Sequence, residues 1–119
     1  SGGERQRVSL AAALAQQAPL LMLDEPVAHL DLRHQIVVLD LLRRLTHAGR
    51  HAAVVILHDL TLARRYASHA LLMAEDGHAL HGPAQDVLTP AQCSRALRTP
   101  IISISDGTHT ALIPDGNPL

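Results

Sequence analysis

Phenylalanine and tryptophan are missing from the chain, and Tyr66 is its single aromatic residue. A core must therefore be built from Leu, Val, Ile and Ala. The stacked aromatic platforms with which most single-strand nucleic-acid binders hold bases are excluded. Cysteine is nearly missing as well. Cys93 has no second thiol to pair with, so no internal disulfide can form, which fits a reducing compartment. Neither sign of charge is in excess: the formal net charge is −1, too small to capture nucleic acid or an anionic lipid surface. No apolar run approaches the roughly 18–20 residues that cross a bilayer. The expectation is a soluble chain without direct membrane insertion, which reaches any membrane through a partner. The nine histidines are scattered, mostly beside Arg, Asp or Gly, and do not read as a metal site.

Apolar residues make up 47% of the 119 positions and charged residues 18%, the profile of a folded chain with room for one small domain. Ser1-Gly2-Gly3-Glu4 reads as a helix start, with Ser1 and Glu4 in capping-box spacing. Val8, Ala11, Ala12 and Ala15 continue at helical spacing to about Gln17, and Pro19 stops the helix. The short apolar run Leu20-Leu21-Met22-Leu23, ending in Asp24-Glu25-Pro26, suits a strand buried on both faces of a parallel sheet. Asp31 caps a second helix carrying Leu32, Ile36, Leu39, Leu42 and Leu45 on one face, and Gly49 closes it. Ala52 to Leu57 is another buried run, ending at His58-Asp59, and a third helix spans about Leu60 to Ser68. Ala70 to Ala74 and His78 to His81 form a predicted hairpin across Glu75-Asp76-Gly77. Pro90 opens a short helix to about Leu97, and β-like stretches at Ile101 to Ile104 and Thr110 to Ile113 flank Asp106-Gly107. Helix and buried strand alternate over the first two-thirds, which indicates an α/β fold with a mostly parallel sheet.

Three of these places carry chemistry. Asp24 and Glu25 stand at the C-terminal edge of a strand, where open α/β sheets bind ligands. Adjacent carboxylates there repel unless a cation compensates them. One can serve Mg²⁺ while the other orients water. Gly2 and Gly3 allow close backbone approach at a helix N-terminus, whose free N–H groups and dipole favour an anion. His58, at a second strand end, can donate to a phosphate oxygen. Taken singly, each has a plainer reading: a polar turn, an ordinary capped helix, a structurally satisfied histidine. Cys93 has no neighbouring base to make it a nucleophile, and the pairs Arg43-Arg44 and Arg64-Arg65 read as solvated helix faces.

The ordered set is more specific than its members. Ser1-Gly2-Gly3-Glu4-Arg5-Gln6-Arg7 resembles the signature motif of ABC ATPases, and Leu20 to Glu25 resembles a Walker B strand with its adjoining glutamate. His29-Leu30-Asp31 resembles the D-loop, and His58 the switch histidine. The resemblance runs from residue 1 to about 90. It implies that Asp24 holds Mg²⁺, that Glu25 is the general base, and that His58 contacts the γ-phosphate. It implies further that Ser1, Gly2 and Gly3 bind ATP held mainly by an opposite subunit, and that Asp31 reaches across the dimer. Glu4 to Arg7 are assigned to the helix start and surface. Val27-Ala28 stand where the family often has Thr-Ser, which removes two hydroxyls but no catalytic group. No G-x-x-x-x-G-K-[ST] loop occurs in the chain. The expectation is thus the C-terminal part of a P-loop NTPase domain, with a C-terminal β-hairpin and an extension from about residue 84. Residue 1 falls inside a motif, so the chain is expected to be truncated, with the P-loop half upstream, and inactive by itself.

From His58 onward the resemblance narrows to importers of metal chelates, through Gly82-Pro83 and Val87-Leu88-Thr89-Pro90. That implies a subunit on the cytoplasmic face of a bacterial membrane. It would pair with a second ATPase subunit, bind permease subunits and a substrate-binding protein, and power uptake of an iron–siderophore, haem or cobalamin. Two other readings stay open here: another ABC ATPase (an exporter, or a soluble repair or translation factor), or a non-catalytic interaction module.

Overall fold

The computed structural model describes residues 2–116. By its contacts the chain falls into two compact units, Ser1–His58 and Asp59–Leu119.

The first unit runs α1 (Gly2–Ala15), β1 (Leu20–Asp24), α2 (Leu32–His47) and β2 (Ala52–Ile56). α1 stops two residues short of the expected end. Gln17 turns into the left-handed region at φ 51° and its N–H closes on the Leu14 carbonyl at 3.1 Å, ahead of Pro19. α2 begins where its cap predicts: Asp31 Oδ1 accepts the His34 N–H at 2.9 Å, and Gly49 at φ 77° ends the element. β1 and β2 pair in parallel, Leu20 opposite Ala52 through Asp24 opposite Ile56.

The expectation that these strands are buried on both faces is corrected. Leu21 is buried, but Leu20, Met22, Val54 and Ile56 are each more than half exposed and share the other face. An apolar run reports that a strand can be covered, and the described residues cover one side of this two-stranded ladder. Val8 and Leu32, placed on apolar helix faces by their spacing, are also exposed, whereas Val38 joins Leu39 and Leu42 inside.

The second unit runs α3 (Leu60–Tyr66), β3 (His69–Met73), β4 (Ala79–Pro83), α4 (Ala84–Val87), α5 (Pro90–Leu97), β5 (Ile101–Ser105) and β6 (Thr110–Pro114). β3–β4 and β5–β6 are antiparallel hairpins, so parallel pairing among the described residues is confined to β1–β2. The short α4 has no sequence signal beyond the Pro83 that precedes it at the end of β4. Leu72, Ala84, Val87, Leu88, Cys93, Ala96, Ile101 and Leu112 form the core. Cys93 is completely enclosed, and that burial pushes its thiol above the ordinary range. Arg64 is not a solvated helix face: its Nη1 donates to the Gln85 and Leu88 carbonyls at 2.9 and 2.7 Å, tying α3 to α4. The Thr61 hydroxyl accepts from the Leu112 N–H at 2.9 Å and ties α3 to β6.

The β5–β6 turn is held by one carboxylate. Asp106 Oδ1 accepts the N–H groups of His109 and Thr108 at 2.7 and 2.9 Å, and these bonds lower its pKa to about 2. A depressed carboxylate contributes stability that is present above its unfolded value near 3.8 and is lost as pH falls through about 2. The Thr108 and His109 amide resonances should therefore titrate with a midpoint near 2, and Asp106→Asn should abolish that titration. A midpoint close to 3.8 would mean that the turn is not held this way.

Candidate functional site

The ladder between β1 and β2 delivers the catalytic candidates to one edge. Its last pair is Asp24 opposite Ile56, and the Glu25 N–H continues it by donating to the Ile56 carbonyl at 3.1 Å. His58 follows two residues later, and its Nε2 meets Glu25 Oε1. The imidazole is 81% exposed and the carboxylate 39%. Glu25 and His58 are thus brought together, with the exposed Asp24 next to them at the strand end. Glu25 sits at φ 47° and His29 at φ 63°, a region that costs a non-glycine residue about 1–3 kcal/mol. The Ala28 N–H donates to the Glu25 carbonyl at 3.1 Å, and Val27 is buried beneath this turn. The Val27-Ala28 departure thus gives the turn an apolar anchor.

The phosphate-binding candidates form a second group. Gly2, Gly3, Arg7, His29, Asp31 and His34 line an open depression of about 360 Å³. Ser1 lies outside the described residues. Asp31 is held by the His34 N–H, and His34 Nδ1 lies 2.7 Å from the same Oδ1. These bonds set its carboxyl below the ordinary carboxylate range. The glycines have a further reason to be glycines. A Cβ on Gly3 would lie 3.0 Å from the His29 carbonyl oxygen, and one on Gly2 would lie 3.2 Å from the His29 Cβ. α1 therefore starts in close contact with the backbone of the His29 turn.

Sequence reasoning missed Gln6, assigned to the helix start and surface. It is half-buried, and its Nε2 donates to the Glu25 carbonyl at 2.9 Å. A polar residue in the second turn of a helix gives no signal of such a long-range partner.

Among the described residues no group of three or more His, Cys, Asp or Glu could hold a metal alone. Mg²⁺ does not need one, since it is commonly bound by one or two carboxylates together with waters and substrate phosphates. A single exposed Asp24 at the strand edge fits that pattern. No described helix is long and apolar enough to cross a membrane.

Two kinds of likeness bear on this geometry. Residues 1–28 match the ABC transporter family. The chain is 50% identical over 101 residues to the hemin import ATP-binding protein of Streptomyces coelicolor, covering 85% of this chain and 36% of that protein. Over these residues the chain resembles the ATP-binding subunits of ABC transporters. It is also 50% identical over 90 residues to the cobalamin import ATP-binding protein of Halobacterium salinarum, 76% of this chain and 23% of the relative. With the iron(3+)-hydroxamate import ATP-binding protein of Bacillus subtilis it shares 42% over 90 residues, 76% of this chain and 34% of the relative. A solved structure described as a metal-chelate type ABC transporter, inward-facing, superposes with a TM-score of 0.86 at 27% identity. It covers 98% of this chain and 48% of that one. The chain thus spans about a third or less of these curated relatives. The α/β fold and the ABC resemblance are both supported by these matches, and the importer group singled out by Gly82-Pro83 and Val87 to Pro90 is the one they fall in.

In this chain Gly3→Ala should displace the His29 turn, because the obstructing atom is a backbone oxygen. The expected loss is about 1–3 kcal/mol in urea unfolding. An unchanged midpoint would show that the helix start has room to spare.

Proposed function

We propose that the chain is part of the ATP-hydrolysing subunit of a metal-chelate importer and contributes half of a nucleotide site. The observation that carries the reading is the convergence of Asp24, Glu25 and His58 at one strand edge, with Glu25 and His58 in contact. Glu25 is then the base that orients and deprotonates the attacking water, and His58 donates to the γ-phosphate as charge develops there. Asp24 would hold Mg²⁺, largely through water; when bound, the ion offsets the charge of the phosphates. Gly2 and Gly3 present backbone N–H groups and a helix N-terminus to ATP held by a second subunit, and Ser1 binds the same nucleotide. Asp31, fixed by His34, reaches across the same dimer.

The names of the similar proteins support a chelate as cargo: hemin, cobalamin or an iron hydroxamate. The subunit works at the cytoplasmic face of a bacterial membrane, peripheral to it, on permease partners fed by a substrate-binding protein. The 119 residues alone lack the phosphate-clamping lysine of a P-loop. By themselves they should show no Mg²⁺-dependent ATP hydrolysis above background, and turnover abolished by Glu25→Gln would contradict this.

In the full-length subunit, Glu25→Gln should keep ATP binding and slow hydrolysis by on the order of 10²–10⁴. His58→Ala should lower turnover far more than affinity. An unchanged turnover number in the Gln variant removes Glu25 from the role of base. Deletion of the full-length gene, followed by uptake of labelled hemin, cobalamin and ferric hydroxamate, tests the cargo. Normal uptake of all three would overturn the importer reading and leave the ATPase reading standing.

A further inference from the structure

We infer that Gln6 is a positioning residue that couples the start of α1 to the backbone of Glu25, and through it couples the two nucleotide sites of the dimer. The inference rests on the reading of Glu25 as base and of Gly2-Gly3 as phosphate ligands. Glu25 is held at three points of its backbone. Its N–H is fixed to Ile56, and its carbonyl accepts from both Ala28 N–H and the Gln6 side-chain amide. A residue at φ 47° is not in a relaxed well, so its side-chain direction follows whatever holds its two flanking peptides. Two of the three restraints come from the strand ladder and the local turn. The third comes from α1, 19 residues earlier in the chain.

Gln6 is three residues beyond Gly3, less than one helical turn and about 4.5 Å of rise. A helix transmits axial and rotational displacement over that distance with little loss. Whatever shifts the Gly2-Gly3 end therefore shifts the amide that holds the Glu25 carbonyl. In the proposed dimer the helix end faces the nucleotide of the opposite site, while Glu25 serves the nucleotide of its own. One hydrogen bond then makes the geometry of the base in one site depend on occupancy of the other. By linkage the dependence in binding is mutual.

The comparison is between Gln6→Met and Gln6→Lys in the full-length subunit assembled with its permease. Met matches the stem and removes the donor; Lys keeps a donor of similar reach. Gln6→Met should lower the turnover number by roughly 5-fold or more, the usual lower bound for site-to-site coupling. It should leave the KM for ATP within about 2-fold and bring the Hill coefficient for ATP towards 1. Gln6→Lys should retain cooperativity. A merely structural amide would lower the melting temperature of both variants and leave the Hill coefficient where it was. Equal cooperativity in Met, Lys and parent proteins overturns the inference, whatever the effect on stability. Glu25→Gln run alongside separates the two failures. If it leaves turnover unchanged, the role of Glu25 as base is lost. If it abolishes turnover while Gln6→Met keeps parental rate and cooperativity, only the coupling is lost.

Discussion

The parallel pairing of β1 with β2 fixes more of this chain than any other interaction. Its register places Asp24 opposite Ile56 and hands the next N–H, that of Glu25, to the Ile56 carbonyl. His58, two residues past Ile56, then comes into reach of the Glu25 carboxylate. A slip of one residue would turn every side chain of one strand to the opposite face and carry the carboxylate away from the imidazole. The left-handed backbone at Glu25 is a local cost that persists because the ladder, the turn and Gln6 over-determine it.

The second unit depends on different physics. Its core closes around Cys93, and its turns are set by single side chains: Asp106 in one hairpin, Asp76 accepting from the His78 N–H in the other, Thr89 at the start of α5. The stretch that points to chelate importers is largely structural. Gly82 adopts φ 152°, a Cβ there would meet Val87 at 3.5 Å, Val87 and Leu88 are buried, and Thr89 with Pro90 opens α5. The residues of this stretch are thus accounted for by how the segment folds, without any contact to a ligand.

Local signals carried most of the secondary structure. The Asp31 cap, the Asp-Gly turn and Pro90 each act over three or four residues, so α2, the β3–β4 hairpin and α5 were legible to within a few positions. The strand-edge placement of Asp24, Glu25 and His58 was legible because a short apolar run followed by charge has few alternatives. What stayed hidden depends on distant partners. Spacing cannot tell that Leu32 points outward and Val38 inward, that Arg64 reaches two carbonyls of α4 and its end, or that Cys93 sits at the centre of a core. Gln6 belongs to the same class, since its partner is fixed only once β1 and α1 are packed.

The crowding at the start of α1 changes how genetic data at that motif should be interpreted. Gly3 has the His29 carbonyl against the place where a side chain would begin. Intolerance to substitution there is expected from the fold, with or without nucleotide. Loss of function on replacing this glycine therefore says nothing by itself about phosphate contact. The two requirements separate only in a background where the His29 turn has been given room, and a residue that is still indispensable there is one the ligand needs.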